Sequence, residues 1–321
     1  MDKSVKIKSY AKVNLTLEII NKREDGYHNL ETIIQSIDIS DLIIIRERKA
    51  QTQKQIKIVC SHPQVPKGKK NLAEQAARLM IEETGIDKKI EIKIEKNIPL
   101  TSGLAGGSSN AAAVLLGLNK LWNLNLSSKR LRELGIGLGA DIPFCLKGGT
   151  ILVKGKGERL MPLSPAPLFF LVLIKPDFSL STSWVYKNLD LKREKKTPSL
   201  LPYSQAMLSA IREGDVERIA SNLSNRLESV AIAKYPVIAK LKQRLKAAGA
   251  LGSLMSGSGP TVFGVFPSWV EAKKAGRRLN KAGQVFVVKT VDRGVEACPY
   301  ESRDAQKNLK PIPKRDPTGI S

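Results

Sequence analysis

A glycine- and serine-rich stretch at residues 100–113, LTSGLAGGSSNAAA, constrains the fold of this chain more than any other part of its sequence. Before it, residues 90–98 alternate apolar and charged side chains, which predicts a half-buried strand. After it, AAAVLLGLNKLW predicts a helix with Ala, Val and Leu on its buried face. We therefore expect a loop that joins the end of a strand to the start of a helix.

The composition of this loop suits an anion. Gly103, Gly106 and Gly107 have no Cβ, so the backbone can take positive φ and come within hydrogen-bond distance of a ligand. The SSN triplet that follows adds polar groups beside the free N–H groups of the first helical turn. The spacing matches neither G-x-x-x-x-G-K-[ST] nor G-x-G-x-x-G, which excludes a P-loop and the dinucleotide fingerprint. Two interpretations remain: a phosphate-binding loop, or a turn whose small residues serve packing.

Length and composition exclude several classes of protein. The 321 residues are enough for one large or two medium domains, and 42% hydrophobic content is typical of a globular protein. The longest apolar run, residues 168–174, is far shorter than the roughly 20 residues of a membrane span, and the N-terminus lacks a signal-peptide core. We expect a cytoplasmic protein with no membrane partner. Cys60, Cys145 and Cys298 lack metal-site spacing and are expected to be reduced and structural.

The chain is strongly basic, because 53 Lys and Arg against 30 Asp and Glu give a formal net charge of +23. Such a balance suits either a nucleic-acid partner or an enzyme of phosphorylated substrates. Much of the excess lies in polar segments that are expected to be solvated, such as RERKAQTQKQIK, LKREKKTP and KNLKPIPKR. Only 5% of the residues are aromatic and no basic–aromatic cluster is visible, so no specific nucleic-acid partner is expected.

The hydrophobic pattern divides the chain into two halves and a tail. The first half, residues 1–160, is expected to hold strands at 5–20, 33–48 and 56–60 and a helix at 71–84 before the glycine loop. The second half, residues 161–300, is expected to hold a layer of helices on a sheet, with helices at 204–213, 216–228, 236–248 and 268–282. Residues 301–321 are polar and Pro-rich without an apolar period, which predicts a disordered basic tail.

Three separate segments point to a family when they are taken together. They are AKVNLTLEI from Ala11, PLTSGLAGGSSNAAA from Pro99 and MSGSGPTVFG from Met255. In this order they resemble the three motifs of the GHMP kinase superfamily of small-molecule kinases. The KVN, DGYH and GADIP sequences resemble those of the branch that phosphorylates 4-diphosphocytidyl-2-C-methyl-D-erythritol. The similarity covers residues 5–295, nearly everything except the tail.

The resemblance implies both a fold and a reaction. The fold would be α+β with two domains, an N-terminal ribosomal-protein-S5-like α/β domain and a C-terminal domain with helices on an antiparallel sheet. The reaction would transfer the γ-phosphoryl group of ATP to the tertiary 2-hydroxyl of the erythritol moiety, in the non-mevalonate route to isoprenoids. The expected partners are therefore small molecules, namely ATP and a cytidine diphosphate sugar alcohol.

The resemblance also assigns a catalytic pair. Asp141 matches the base of the family, and Lys12 matches the lysine beside it. A tertiary alcohol is a poor nucleophile, so a carboxylate has to orient it and accept its proton as the bond to phosphorus forms. An ammonium group close to that carboxylate keeps it ionised and offsets charge on the phosphoryl oxygens.

Binding residues follow from the same matching. Tyr27 and Tyr186 fall where the family stacks cytosine between aromatic faces, and His28 falls where groups read the edge of the base. The other matches on the acceptor side are Asn14, Thr182, Ser256, Gly257, Ser258 and Gly259. The matches on the ATP side are Asn71, Leu72, Lys96, Pro99, Leu100, Thr101, Ser102, Gly103, Leu104, Ala105, Gly106, Gly107, Ser108 and Ser109.

The chain departs from the family pattern in two respects. Thr101, Ser102 and Ala105 stand where glycine is common, and a positive φ at any of them costs roughly 1 kcal/mol. No carboxylate in the loop region matches the magnesium-binding glutamate of some superfamily members. We therefore expect Mg²⁺ to arrive with ATP, with Ser108 or Ser109 as a candidate ligand.

Two alternative functions stay open at this point. One is another kinase of the superfamily, acting on mevalonate, homoserine or a sugar, which would have no use for aromatic side chains at Tyr27 and Tyr186. The other is a basic nucleic-acid-binding protein on a similar N-terminal fold, which would have no use for Asp141.

Overall fold

A computed structural model describes residues 3–48, 55–190 and 202–299. Within them the strands are β1 (Ser4–Lys22), β2 (His28–Glu47), β3 (Ile56–Cys60), β4 (Ile90–Glu95), β5 (Thr150–Gly155), β6 (Arg159–Pro162), β7 (Phe170–Lys175), β8 (Ser224–Asn225), β9 (Gly252–Met255), β10 (Val262–Phe266), β11 (Gln284–Lys289) and β12 (Val295–Ala297). The helices are α1 (Leu72–Thr84), α2 (Gly106–Leu121), α3 (Ser128–Ile136), α4 (Ile142–Lys147), α5 (Thr182–Lys187), α6 (Pro202–Glu213), α7 (Val216–Ser221), α8 (Glu228–Lys234), α9 (Val237–Ala247) and α10 (Trp269–Arg278). The predicted tail at residues 301–321 lies outside the described residues.

The first sheet is built around the long antiparallel hairpin of β1 and β2. Its strand order is β12-β1-β2-β4-β3, with β5 also beside β2, β6 beside β5 and β8 beside β1. Because β4 pairs with residues 42–47 of β2 and β5 pairs with residues 30–35, residues 36–41 lie in a gap between them. The N–H groups of Asn97 and Ile98 donate to Asp41 in this gap, so the glycine-rich loop starts there.

Helices α1 and α2 pack against this sheet and against each other. As predicted, α1 starts after Asn71, whose Oδ1 accepts from the Ala73 N–H at 2.9 Å, and it ends at Gly85 in the left-handed conformation. Helix α2 buries Ala111, Ala112 and Ala113 in the same core cluster. Small side chains at these positions let the helix, whose first turn carries the glycines, lie close to the sheet.

The second sheet has the order β11-β7-β10-β9, and all of its pairs are antiparallel. Helices α9 and α10 contact it. This arrangement confirms the predicted α+β class and the predicted C-terminal layer of helices on an antiparallel sheet. Within the described residues, no helix is both long and apolar enough to span a bilayer.

One predicted helix, at residues 216–228, is wrong. Helix α7 ends at Ser221, residues 224 and 225 form β8, and α8 begins only at Glu228. The backbone leaves the helix because β8 pairs in parallel with β1, through Thr16 with Ser224 and Leu17 with Asn225. Pairing to a distant strand overrides the local helical pattern.

The two halves share both a sheet and a core. Besides β8, strand β12 from the second half pairs with β1, and Thr290 forms an isolated bridge with Ile37. Val13 and Leu15 of β1 are fully buried in a cluster that also contains residues of β7 and β10. The predicted division of the chain at residue 160 stays a prediction.

Candidate active site

A cleft of about 1320 Å³ is lined by residues from both halves. The first half contributes residues of β1 and β2, the glycine loop at 99–108, and Asp141 at the start of α4. The second half contributes residues 180–190 and the third glycine loop, residues 256–259, of which 257–259 line the cleft. The same cavity therefore reaches the predicted catalytic pair and residues predicted to bind both substrates.

The first glycine loop leads into the N-terminus of α2. Ala105 precedes the helix with φ 58° and ψ 26°, and no side chain caps the first turn. The first-turn N–H groups of an α-helix have no partner within the helix, so these groups are available to a ligand. Thr101 also has a positive φ, 47°. Two of the three departures from glycine therefore lie at left-handed positions, each at a cost of roughly 1 kcal/mol.

The third glycine loop packs directly on the first. A Cβ on Gly103 would collide with the carbonyl oxygen of Ser256, and the Ser256 Oγ donates to the Gly103 carbonyl at 3.1 Å. Two hydroxyl pairs join the segment around the start of α5 to both loops. They are Thr101 with Ser179 and Thr182 with Ser258, each at 2.7 Å between the oxygens.

Lys12 and Asp141 face each other in the cleft, with 3.6 Å between Nζ and Oδ2. Lys12 is only 4% exposed, and its ammonium donates to the Asn14 Oδ1 at 2.7 Å. The Asn14 amide in turn donates to the Thr32 Oγ1 at 2.9 Å. Asp141 precedes α4, and its side chain is 37% exposed. The ammonium is thus held in place by strand residues, while the carboxylate remains accessible to a substrate.

At one end of the cleft, the His28 and Tyr186 rings lie 5.1 Å apart at a tilt of 36°. Burial lowers the pKa of His28, and the charge of Lys22 lowers it further, so the imidazole is held neutral. Burial, with a smaller contribution from Asp141, raises the pKa of Tyr186 to about 12. Tyr27 is 61% exposed at the rim, with the Lys156 Nζ 5.6 Å from its ring centre. The structure brings His28 and Tyr186 together and leaves Tyr27 further out.

Three lysines that the sequence analysis did not identify line the cleft together with His28 and Tyr186: Lys22, Lys156 and Lys187. Cationic side chains near these aromatic rings suit a ligand that carries phosphate groups. Nothing in the local sequence marks them, because lysines are frequent throughout this basic chain.

Lys96 lines the cleft but is tied into a buried network below the glycine loop. Its ammonium donates to the Asp41 Oδ2 at 2.7 Å and to the Ile98 carbonyl at 2.5 Å. Burial lowers the pKa of Lys96, and the charge of Asp41 opposes that shift. With its amide nitrogen turned towards Asp41, Asn110 donates to the same carboxylate at 2.7 Å and to the Gly106 carbonyl at 2.9 Å. Asp41 thereby links the end of β4 to the first turn of α2.

Four residues predicted to bind ligands do not line the cleft: Asn71, Leu104, Ser109 and Ser256. Asn71 caps α1, and Leu104 is fully buried in the apolar core. The hydroxyl of Ser109 is buried and donates to the Tyr10 carbonyl at 2.7 Å. The predicted contacts of all four residues with ligands stay predictions.

Two carboxylates that could bind a hard cation line this cleft, those of Asp141 and Asp190. The Ser108 hydroxyl lines it as well. In the part of the chain that the structure describes, no group of three or more His, Cys, Asp and Glu could hold a metal ion.

Burial, and then the nearby charge of Asp141, raise the pKa of the Cys145 thiol, so this cysteine stays a neutral thiol.

Comparison with known proteins identifies the family. The model of the GHMP kinase N-terminal domain matches residues 71–149, and the model of the GHMP kinase C-terminal domain matches residues 207–285. The 4-diphosphocytidyl-2-C-methyl-D-erythritol kinase of Caldicellulosiruptor bescii is 45% identical over 290 residues, which are 90% of this chain and 99% of that protein. The chain belongs to this kinase family. It is an ATP-dependent GHMP kinase, as the motifs predicted.

Solved structures agree with this assignment. The crystal structure of a 4-(cytidine 5'-diphospho)-2C-methyl-D-erythritol kinase has a TM-score of 0.73 and 32% identity, over 89% of this chain and 98% of that one. A homoserine kinase from Cytophaga hutchinsonii has a TM-score of 0.76 at 22% identity, over 93% and 98% of the two chains. At that identity the second likeness shows the fold alone, and it confirms the predicted two-domain GHMP kinase fold.

Several polar residues that support this kinase cleft were not predicted from the sequence. Thr32 holds Asn14, Asp41 holds the glycine loop, and Asn225 and Glu228 hold the third loop. Each acts through a contact between positions far apart in the chain, for which a single sequence gives no signal. Asn225 and Glu228 were further hidden by the incorrect helix prediction for residues 216–228.

Proposed function

We propose that this chain transfers the γ-phosphoryl group of ATP to the 2-hydroxyl of 4-diphosphocytidyl-2-C-methyl-D-erythritol, giving the 2-phosphate and ADP. The observation that carries the proposal is the position of Lys12 and Asp141. This pair lines the same cleft as the N-terminus of α2 and the His28 and Tyr186 rings. The reaction would be a step of the non-mevalonate route to isopentenyl diphosphate, in line with the names of the relatives.

Asp141 is proposed as the base. Its accessible carboxylate orients the tertiary hydroxyl and accepts the hydroxyl proton as the new bond to phosphorus forms. The Lys12 ammonium lies next to it and offsets negative charge on the transferred phosphoryl group. The first-turn N–H groups of α2 hold the phosphates of ATP.

The acceptor is proposed to enter with its cytosine at the aromatic end. A base that stacks on Tyr186 gains affinity, with Tyr27 closing over its other face. His28, held neutral by burial, can donate with one ring nitrogen and accept with the other, so it can read the edge of the base. Lys22, Lys156 and Lys187 suit the diphosphate between base and sugar alcohol.

Mg²⁺ bound to ATP is part of the proposal. The Ser108 hydroxyl and the Asp141 carboxylate line the cleft, and Mg²⁺ prefers such oxygen ligands. Ser108 is favoured over Ser109, whose hydroxyl is committed to the Tyr10 carbonyl. When bound, the ion would neutralise charge on the phosphates, and ATP and water would supply most of its ligands.

The experiment is an ADP-release assay with magnesium-ATP and three acceptors: the cytidine diphosphate substrate, mevalonate and homoserine. Activity is expected with the first acceptor alone. Asp141→Asn should lower kcat about 100- to 10,000-fold, because it removes the base. Asp177→Asn makes the same change of charge at an exposed position outside the cleft, and it should match the wild type.

Other outcomes would redirect the assignment. Activity with mevalonate or homoserine instead would keep the kinase family and refute the cytosine site. Full activity of Asp141→Asn would refute the base while keeping the substrate. An inactive, folded wild type that binds RNA with a steep salt dependence would favour the nucleic-acid alternative suggested by the +23 charge.

A further inference from the structure

The third glycine loop is held from behind by two buried polar side chains. The Asn225 amide nitrogen donates to the carbonyls of Met255 at 2.7 Å and Gly257 at 2.8 Å. The Glu228 Oε2 accepts from the Met255 N–H at 2.7 Å, and its other oxygen pairs with Lys242 of α9. Asn225 and Glu228 are each only 8% exposed. Both backbone polar groups of Met255, where β9 ends, are therefore bound by these side chains.

Asn225 is also fixed to the strand that carries Lys12. Its backbone pairs with Leu17 of β1, and the next residue, Arg226, donates its N–H to the Leu17 carbonyl at 2.9 Å. Lys12 and Asn14 lie a few residues earlier on the same strand. The backbone of Asn225 thus belongs to the first sheet, while its side chain binds a loop of the second half.

The loop approaches the catalytic lysine most closely at Gly257. A Cβ there would lie 3.3 Å from the Lys12 Nζ, 3.3 Å from the Asn14 Oδ1 and 3.2 Å from the Gly103 carbonyl oxygen. Gly257 has a φ of 57°, a left-handed conformation that glycine adopts without strain. Any shift of this peptide would change the space around Lys12 and the first glycine loop at once.

We propose that Asn225 is a positioning residue for phosphoryl transfer, and that it sets the distance between the third glycine loop and Lys12. Glu228 assists by holding the N–H of Met255. Because the peptide unit is trans and planar, turning the Gly257 carbonyl towards Asn225 turns the Ser258 N–H to the opposite side. Within the described residues, the Ser258 N–H has no acceptor in the protein, and Ser258 lines the cleft. The inference rests on the proposed kinase activity of this cleft.

The chemistry of the amide makes the idea testable. Asn225→Asp keeps the size of the side chain but removes its N–H donors. A carboxylate would then face two carbonyl oxygens, and the loop would be released. Ala removes the contact without adding a charge. If Asn225 only fills space, Asn225→Asp should resemble the wild type more closely than Asn225→Ala does. If it positions the loop, both variants should fail.

Steady-state kinetics and hydrogen exchange would be measured on the full chain for Asn225→Asp, Asn225→Ala and the control Asn119→Ala. Asn119 holds the Leu126 backbone in a comparable way, at 2.9 and 3.1 Å, in the loop after α2. Both Asn225 variants should lose about 100-fold in kcat, the scale of a 1 Å misplacement. Their KM values should stay within about threefold, since no substrate contact is removed. Amide exchange should accelerate in residues 253–261 in both variants, and in Asn225→Ala also at the Leu227 N–H, which donates to the Asn225 Oδ1 at 2.9 Å. Asn119→Ala should show neither change.

The two readouts separate failure of this inference from failure of the proposed substrate. Unchanged exchange of residues 253–261 in Asn225→Ala would overturn the inference whatever the kinetics show. So would a uniform loss of stability with a normal kcat per folded molecule. A wild type inactive with the cytidine substrate, combined with faster local exchange in the variant, would overturn the substrate alone.

Discussion

Lys12 and Asp141 differ in how firmly their charged groups are held. The ammonium of Lys12 is buried and bonded to Asn14, which is bonded to Thr32, whereas the carboxylate of Asp141 is more than one-third exposed. This difference suits the proposed roles, in which Asp141 accepts a proton from the substrate and Lys12 supplies a fixed positive charge. The resemblance to known kinases was enough to predict the pair, but the support from Thr32 depends on a contact across the sheet that one sequence does not reveal.

His28 should remain uncharged over the working pH range. Burial and Lys22 lower its pKa below the ordinary value, so the folded protein favours the neutral ring. The contribution of His28 to the free energy of unfolding is fully present above the unfolded-state pKa of about 6.5. It is lost as the pH falls through the lower folded-state pKa, because the folded protein disfavours the charged ring. We expect the KM for the cytidine substrate to be constant from about pH 8 to 6.5 and to rise below that range.

An NMR titration of the imidazole would check this directly. The chain has two histidines, so His62→Gln leaves His28 as the only one. A midpoint above 6.5 for the His28 signals in that variant would contradict the prediction.

Asp41 should be a major contributor to stability. It is fully buried and accepts from the Lys96 ammonium and from the N–H groups of Asn97 and Ile98. Asp41→Ala would leave a buried ammonium without its counter-charge, at a cost of about 3–5 kcal/mol. Urea unfolding would measure the loss. Glu95→Gln, which breaks an exposed pair with Lys93 at the end of β4, should cost less than about 1 kcal/mol.

At the scale of elements, the position of the glycine loop could be predicted from the sequence, but the residues of the loop that carry backbone strain could not. Its position between β4 and α2 followed from the hydrophobic pattern, and the glycines marked it as a close backbone approach. Of the three departures from glycine, Thr101 and Ala105 take positive φ and Ser102 does not. The family pattern identified these positions as unusual without showing which of them are strained.

Replacing Ala105 with glycine should therefore stabilise the protein. The change removes left-handed strain of roughly 1 kcal/mol, less what the freer unfolded chain gains, so about 0.5 kcal/mol should remain. The matched control is Ala112→Gly in the interior of α2, which should cost about 1 kcal/mol or more. Chemical denaturation of both variants would test the opposite signs, and a loss of stability in Ala105→Gly would contradict the strain.

At the scale of the whole molecule, the two halves share one sheet and one core cluster. The sequence correctly predicted an α+β protein with a sheet in each half and most of the helices. Strands β8 and β12 were not predicted, because strands of two and three residues are defined by their partner in β1 and not by any pattern of their own. The core shared by β1, β7 and β10 is equally invisible in one sequence.

This shared core should make unfolding a single cooperative event. Trp122 packs on the core of the first half, and Trp269 contacts Phe170 at the start of β7 in the second sheet. Two variants would report on the halves separately: Trp184→Phe with Trp269→Phe, and Trp122→Phe with Trp184→Phe. Their fluorescence midpoints in urea should coincide once each variant's own stability change is taken into account. Two separated transitions would show that the halves unfold independently.

The unbroken cleft from Leu72 to Tyr186 has a consequence for inhibitors. Under the proposed function, a nucleoside would occupy one end and a cytosine derivative the other, and each would lose its translational freedom on binding. If a tether passing Lys12 and Asp141 joins them, the second group binds at an effective concentration set by the tether, in the millimolar range for short flexible linkers. Affinities that are individually weak would then multiply, and the tether length that binds most tightly would measure the span between the two ends in solution.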